Sequence, residues 1–412
     1  MADDVTRVVL DNGFTVFVRE NQVAPVVAVA LLVRMGTRWE TAQNAGISNF
    51  VHAMMVKGTS KRGGGDIAEA VAGMGGKISA SGDIDYSGLQ GTALARFWRD
   101  LLGIVAEIAL TPKLAADDVD RERDWVLSRI QRRRDNAPSR AFDEFYGLLY
   151  GTHPYSIPTL GTREGLQRVD HAAVVAAYRA FYRPERMTLA VSGQVPAAEV
   201  VAEARRPFGA AAPGGAGGDP PIPPPRPTNR RLVIEQAAQQ TQILVGGLAP
   251  AMSQADHAAA KVLSTLLGGG MAGRLFVELR DKSALAYTAT SFYDPVHEPG
   301  ALVLYLGTLP DNAERAEQAL LNEVRRVQQE PIPAAEVDRA KNYLLGKYVM
   351  DRRTNERLAW YMAFYATEGV GLEFSERYRR AVQAVTATDL KAAANAYLGS
   401  PATVVLGPKK SP

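Results

Sequence analysis

The stretch from Gly46 to Thr59 reads GISNFVHAMMVKGT, and its spacing predicts a helix with one apolar face, because Ile47, Phe50, Val51, Met54 and Met55 recur at helical intervals. On such a helix Asn49 and Ala53 stand one above the other with His52 beside them. Two imidazoles four residues apart, with a carboxylate next to them, would hold a divalent metal and activate its water; in inverted order that pattern is His-x-x-Glu-His. This chain has Asn49, Phe50, Val51, His52 and Ala53 in those five places. An amide stands at the first ligand, an imidazole at the general base and a methyl at the second ligand. His52 reads as a helix-face histidine bonded to a neighbour or to water, since His153, His171, His257 and His297 form no ligand-spaced pair with it or with each other.

The elements that would position this helix belong to a large globular chain. There are 412 residues, 46% hydrophobic and 22% charged, enough for more than one domain. The net charge of +3 is spread without a basic block, which speaks against nucleic acid as a partner. No cysteine is present, so disulfides and thiolate metal sites are excluded. No apolar run has the length of a membrane span, so no membrane association is expected. Met1-Ala2-Asp3-Asp4 leads straight into a strand pattern with no visible signal peptide, a start that also suits a processed secreted chain behind an added Met.

Val8 to Arg19 predicts a hairpin around Asp11-Asn12-Gly13, and Val26 to Val33 a buried strand. Asp66 is expected to cap a second helix that faces inward through Ile67, Val71 and Met74 and ends at Gly75-Gly76. Two strands follow within Lys77 to Gln90, then helices over Phe97 to Ala109 and Asp117 to Arg134, and a strand over Thr188 to Ser192. Pro207 to Asn229 is dominated by Gly and Pro without an apolar period, and is expected to be a linker and hinge that packs nowhere, separating residues 1–206 from 230–412. The two halves echo each other. Val169 to Gly193 parallels Val385 to Gly407, and Gly91-Thr92 with its following helix parallels Gly307-Thr308 with its own. A duplicated domain that mixes strands and helices implies the α+β class.

Gly46, Phe50, Met54 and Lys57-Gly58-Thr59 give this helix a clear resemblance to the zinc-binding helix of the pitrilysin/insulinase family, which includes the mitochondrial processing peptidases, and the resemblance runs from Val8 to Gly407. It implies two homologous sheet-plus-helix domains of the inverted-motif zinc peptidase type, facing each other as a clamshell. The family's third ligand is a glutamate in the pattern Glu-Arg-x-x-x-x-x-Glu. Glu122 and Arg123 match that pattern, but the ligand position is Arg129, whose guanidinium stays charged and repels a divalent cation. The resemblance therefore makes Asn49, His52, Ala53 and Arg129 a degenerate metal site.

Gly268 to Tyr287 (GGGMAGRLFVELRDKSALAY) places Arg280 and Tyr287 on the family's arginine/tyrosine pair, which reaches substrate held at the zinc site opposite. An arginine fork can hold a peptide carbonyl and a phenol can donate to an oxyanion. Without the resemblance they read as a solvated helix residue and a strand start. Gly268-Gly269-Gly270 lacks the Walker spacing and is expected to be a flexible turn. Gly75 to Ser81 resembles the family's peptide-pairing edge strand, with Ile78, Ser79, Ala80 and Ser81 as substrate-binding residues; an ordinary sheet strand is equally consistent. His153-Pro154-Tyr155 with Gly161-Thr162 matches a turn read as structural.

These signs imply a non-zinc-binding subunit of a heteromeric zinc metallopeptidase. It would bind no cofactor itself and would supply Arg280 and Tyr287 to the zinc site of a homologous partner that hydrolyses unstructured peptides. The alternative is a non-catalytic structural or peptide-binding homologue, like the core subunits of respiratory complexes. Resemblance to bacterial two-subunit peptidases points to the periplasm rather than the cytoplasm.

Overall fold

Val27, Val29, Leu31 and Val33 alternate with Ala28, Ala30 and Leu32 along one strand, and both sets are buried, in two different apolar clusters. A strand of this kind needs cover on both faces, and helices from both halves of the sequence supply it. The computed structural model describes residues 4–214, 219 and 222–409. In chain order its elements begin with β1 (Thr6–Val9), β2 (Thr15–Glu20), β3 (Val26–Val33), α1 (Ile47–Met55), α2 (Gly64–Gly73), β4 (Lys77–Gly82) and β5 (Ser87–Leu94). Then come α3 (Trp98–Leu110), α4 (Ala116–Asp135), α5 (Ala137–Tyr150), α6 (Arg163–Leu166), α7 (His171–Phe181), β6 (Met187–Gly193) and α8 (Ala197–Gly209). The second half adds β7 (Arg231–Glu235), β8 (Thr241–Ala249), α9 (His257–Gly268), β9 (Thr288–Tyr293), β10 (Gly300–Thr308), α10 (Ala313–Gln329), α11 (Ala334–Asp351), α12 (Asn355–Thr367), α13 (Phe374–Ala384), α14 (Ala387–Leu398) and β11 (Ala402–Gly407).

These elements form two compact units, each drawing on both halves of the sequence. The first comprises Met1–Ile130, Ile157–Pro221 and Asp351–Phe374. Its six-stranded sheet runs β1-β2-β6-β3-β5-β4. One face carries α1, α3 and α8 over the larger cluster; the other is covered by α12, whose Ala359, Met362 and Ala363 meet Phe17, Ala28, Ala30, Leu32 and Ala190. Asn355 fastens the start of α12. It accepts from Asn21 Nδ2 at 2.8 Å and Ser192 Oγ at 3.0 Å, and donates to the Val26 carbonyl at 3.3 Å.

The second unit comprises Gln131–Ser156, Ile222–Met350 and Ser375–Pro412. Its five-stranded sheet runs β7-β11-β8-β10-β9, with α9, α10 and α14 packed on it and α5 against β8 and β11. The order matches β2-β6-β3-β5-β4 strand for strand. In these two matching series of five strands the first pair, β2-β6 or β7-β11, is parallel and the remaining pairs are antiparallel. The duplication read from the sequence is thus a duplication of topology, and the class is α+β.

Three local expectations are corrected. The expected linker begins late: Pro207, Phe208 and Gly209 are the last residues of α8, and Phe208 is fully buried. Phe208 extends the inner face of Val200 and Ala204 and stacks on Phe14 with ring centroids 4.2 Å apart. Asp219, also within the expected linker, is tied to Arg186 at 2.8 Å and to Arg34. Residues 215–218, 220 and 221 of that stretch lie outside the described residues. Asp66 is the third residue of α2 rather than its cap, its carboxylate reaching back to the Gly63 N–H at 2.8 Å. The Gly268 turn is tight, not slack: a Cβ on Gly268 would lie 1.9 Å from the Ser291 nitrogen, so α9 and β9 approach closely only because that residue is glycine. Among the described residues no helix is long and apolar enough to cross a membrane.

Because Phe208 closes the core beneath β2, Phe208→Ala is expected to cost about 3–5 kcal/mol by chemical denaturation. A free linker residue at that position would leave the midpoint unmoved.

Candidate functional site

Helix α1 is held at its start, middle and end. Gly46 adopts the left-handed conformation at its N-terminus and lies against Gly161, where a Cβ would come within 2.4 Å of the Gly46 Cα. The Gly161-Thr162 turn is therefore a seat for the helix. Glu40, buried, accepts from the N–H groups of Gly46 at 2.6 Å and Ser48 at 2.9 Å, satisfying donors that the first turn leaves unpaired. Burial raises its carboxyl above the ordinary range, and those two donors oppose the rise. Phe50, Val51, Met54 and Met55 lock the apolar face into the core.

His52 is 1% exposed and occupied at both nitrogens. Nδ1–H donates to the Ser48 carbonyl at 2.6 Å, and Nε2 accepts from the Tyr182 hydroxyl at 2.5 Å. Burial pushes its pKa down to about 4, with the Ser48 bond opposing, so the ring is neutral at physiological pH. Asn49 and Ala53 remain half-exposed, and the Asn49 amide nitrogen has no hydrogen-bond partner among the described residues.

β4 packs against α1, and α4 is tied to the segment after α1 by an ion pair. Gly82 closes on α1 so tightly that a Cβ would sit 3.2 Å from the Asn49 Cα. β4 is an outer strand, paired with β5 on one side only. The Asp83 N–H bonds the Tyr86 carbonyl, and counting the antiparallel alternation back from that pair turns the backbone groups of Ile78, Ala80 and Gly82 outward, while those of Ser79 and Ser81 pair with β5. On α4, Glu122 is buried and ion-paired with Lys57 at 2.8 Å, and Arg123 donates to the Leu166 carbonyl at 3.2 Å and the Val169 carbonyl at 2.5 Å. Arg129 flanks the buried face of Val119, Glu122 and Val126, half-exposed, its guanidinium 4.7 Å from the centre of the Trp125 ring.

The family's metal does not fit these residues. Ala53 has no donor atom, Arg129 is a fixed cation, and His52 would have to give up a buried hydrogen bond to present either nitrogen. Among the described residues no three His, Asp or Glu side chains are grouped to hold a metal ion.

Arg280 and Tyr287 lie in the second unit. Arg280 sits on a π-helical segment, Phe276–Lys282, with Leu279 buried beneath it. Its guanidinium is exposed, 4.8 Å from the centre of the Phe276 ring. π-helical turns are often found at functional sites. Ala284 follows with φ of 51°, a strained left-handed residue in the turn to β9. Tyr287 leads into β9, 60% exposed, its N–H bonded to the Gly307 carbonyl at 2.9 Å. Both side chains are thus presented outward.

Comparison with known proteins agrees with this architecture. Residues 15–163 match the family described as insulinase (peptidase family M16), and residues 168–344 match the peptidase M16 inactive domain. An uncharacterized zinc protease of Mycobacterium leprae is 30% identical over 84% of this chain and 78% of its own. This chain belongs to peptidase family M16. An uncharacterized zinc protease of Rickettsia bellii is 25% identical over 97% of this chain and 96% of its own. Among solved structures, a peptidase M16 inactive domain from Pseudomonas fluorescens superimposes with a TM-score of 0.90 at 23% identity, covering 99% of both chains. A protease from Helicobacter pylori reaches 0.92 at 22% identity, covering 98% of this chain and 99% of that one. Within this M16 frame the chain is peptidase-like, with the metal positions occupied by non-ligands.

Sequence reasoning missed Glu40, Tyr182 and Trp125. Glu40 and Tyr182 act across 6 and 130 residues, with no periodic signal to find them. Trp125 stands four residues before Arg129 on one helix, a spacing that was open to reading.

Between pH 6.5 and about 4 the unfolded chain takes up a proton on His52 that the folded protein refuses. The stability contributed by the neutral ring is complete above pH 6.5 and is lost as pH falls toward 4, by about 3 kcal/mol at about 1.4 kcal/mol per pH unit. Buried His257, also lowered to about 4, adds in the same direction. Urea midpoints measured against pH are expected to fall over this interval, and His52→Gln to flatten the slope.

Proposed function

We propose that this M16 chain is the non-zinc-binding subunit of a heteromeric zinc metallopeptidase. The carrying observation is an asymmetry: the four metal positions hold Asn49, His52, Ala53 and Arg129, while Arg280 and Tyr287 are presented to solvent. A side chain kept for packing would be buried, and these two are not. The partner would be a homologous subunit with an intact His-x-x-Glu-His helix, holding zinc and the water-activating glutamate. This chain's contribution would be binding and charge stabilisation. The Arg280 fork would hold a carbonyl of an unstructured peptide, and the Tyr287 phenol would donate to the oxygen that becomes negative as water adds. The open edge of β4 favours a second reading, a peptide-binding homologue without catalysis, in which Arg280 and Tyr287 are idle.

Co-expression with a His-x-x-Glu-His homologue, ideally one encoded beside it, tests the proposal. The mixture is expected to cleave unstructured peptides, and Arg280→Ala or Tyr287→Phe to lower turnover about 100–1000-fold without preventing association. A partner fully active alone, or silent variants, would support the second reading.

A further inference from the structure

We infer that the buried hydroxyl of Thr308 is a positioning group for Arg280 and Tyr287: it holds down the turn that joins the two residues and so sets where they stand. The inference deepens the subunit reading and rests on it for what the pair does, though not for how the pair is held.

The segment from Arg280 to Tyr287 has little of its own to keep it in one shape. The π-helical segment ends at Lys282, Ser283 and Ala284 are exposed, and Ala284 adopts a φ of 51° without being glycine. A turn of this kind keeps its shape only where neighbouring groups impose it. Leu285 is where they do. It is buried, its N–H donates to the Leu279 carbonyl at 2.8 Å, and its carbonyl accepts from Thr308 Oγ1 at 2.6 Å. One bond reaches back to the residue before Arg280, and the other reaches the end of β10. Beside Thr308, the Gly307 carbonyl takes the Tyr287 N–H at 2.9 Å. The turn is thus closed through Leu285 and fastened to the sheet through two consecutive residues of β10. Of these three bonds only that of Thr308 is made by a side chain, and Thr308 is fully buried, so water does not compete for its hydroxyl.

The first sheet has the same strands without the pair. Laid on the second sheet through Gly193 and Gly407, its register puts Gly76 where Tyr287 stands and Ala93 where Thr308 stands. The phenol and the hydroxyl beneath its turn therefore occur together in one unit and are absent together from the other. Valine would fill the volume of Thr308 equally well; the bond to the Leu285 carbonyl is what valine cannot make.

Two measurements on Thr308→Val and Thr308→Ser test this. The first is amide hydrogen exchange of the full chain alone. Thr308→Val leaves the Leu285 carbonyl unsatisfied in a buried place, and the amides of Leu285 and Tyr287 are expected to exchange about 10-fold faster, with Thr308→Ser restoring the wild-type rates. Thr308→Ala, which leaves room for a water at that carbonyl, stands in should the valine variant fail to fold. The second is peptide cleavage in the presence of a His-x-x-Glu-His homologue. Thr308→Val is expected to lower kcat/KM about 10–100-fold, Thr308→Ser to recover most of the loss, and Thr308→Val to add little in a Tyr287→Phe background. Unchanged exchange in Thr308→Val overturns the inference whatever the activity. If Arg280→Ala and Tyr287→Phe are silent, the subunit reading falls, and faster exchange in Thr308→Val still supports its hold on the turn. If those two variants are damaging, a Thr308→Val protein with unchanged turnover, or one whose loss adds in full to that of Tyr287→Phe, overturns the inference and leaves the subunit reading standing.

Discussion

His52 is bonded at both ring nitrogens, to the Ser48 carbonyl and the Tyr182 hydroxyl, inside a fully packed helix face. That commitment decides what α1 can be. A ring with neither nitrogen available is neither ligand nor base, and freeing one would leave a buried polar group unsatisfied. The same helix is seated on Gly161, capped by Glu40 and linked through Lys57 to Glu122 on α4. The scaffold of a metal helix is intact, and what has changed is the set of atoms it offers. Only Asn49 and Ala53 remain toward the surface, and neither carries charge.

Much of this was legible in the sequence because the signals were local. The continuous apolar run of β3 gave its bounds to the residue, since both faces are buried. The echo between halves appeared as matching strand order because each repeat is a whole sheet with its helices. Asn49, His52 and Ala53 were read as metal positions because Gly46, Met54 and Lys57-Gly58-Thr59 fix the register around them, and Arg129 because Glu122-Arg123 precede it at the pattern's spacing. What escaped acts across the chain. Asn355 fastens α12 to a strand end 329 residues away, and no periodicity announces that α12 covers the first sheet or that α5 covers the second. The linker was begun too early because Gly and Pro dominate its composition, while one residue, Phe208, carries the packing.

The two units have diverged in opposite senses on one topology. In the first, the positions read as metal ligands hold an amide, a committed imidazole, a methyl and a guanidinium. In the second, a π-helical turn and a strained Ala284 precede β9 and present Arg280 and Tyr287 outward. Strain of this kind persists only where the surrounding structure imposes it. The proposed role as a non-zinc-binding subunit rests on this contrast between the two units.

The most direct test of that account is the metal content of the purified chain, alone and in complex with a His-x-x-Glu-His homologue, by elemental analysis after dialysis without chelator. The account predicts no stoichiometric zinc in the isolated chain and one zinc per heterodimer, lost when the partner's motif is mutated. One zinc per chain in the isolated protein would contradict it.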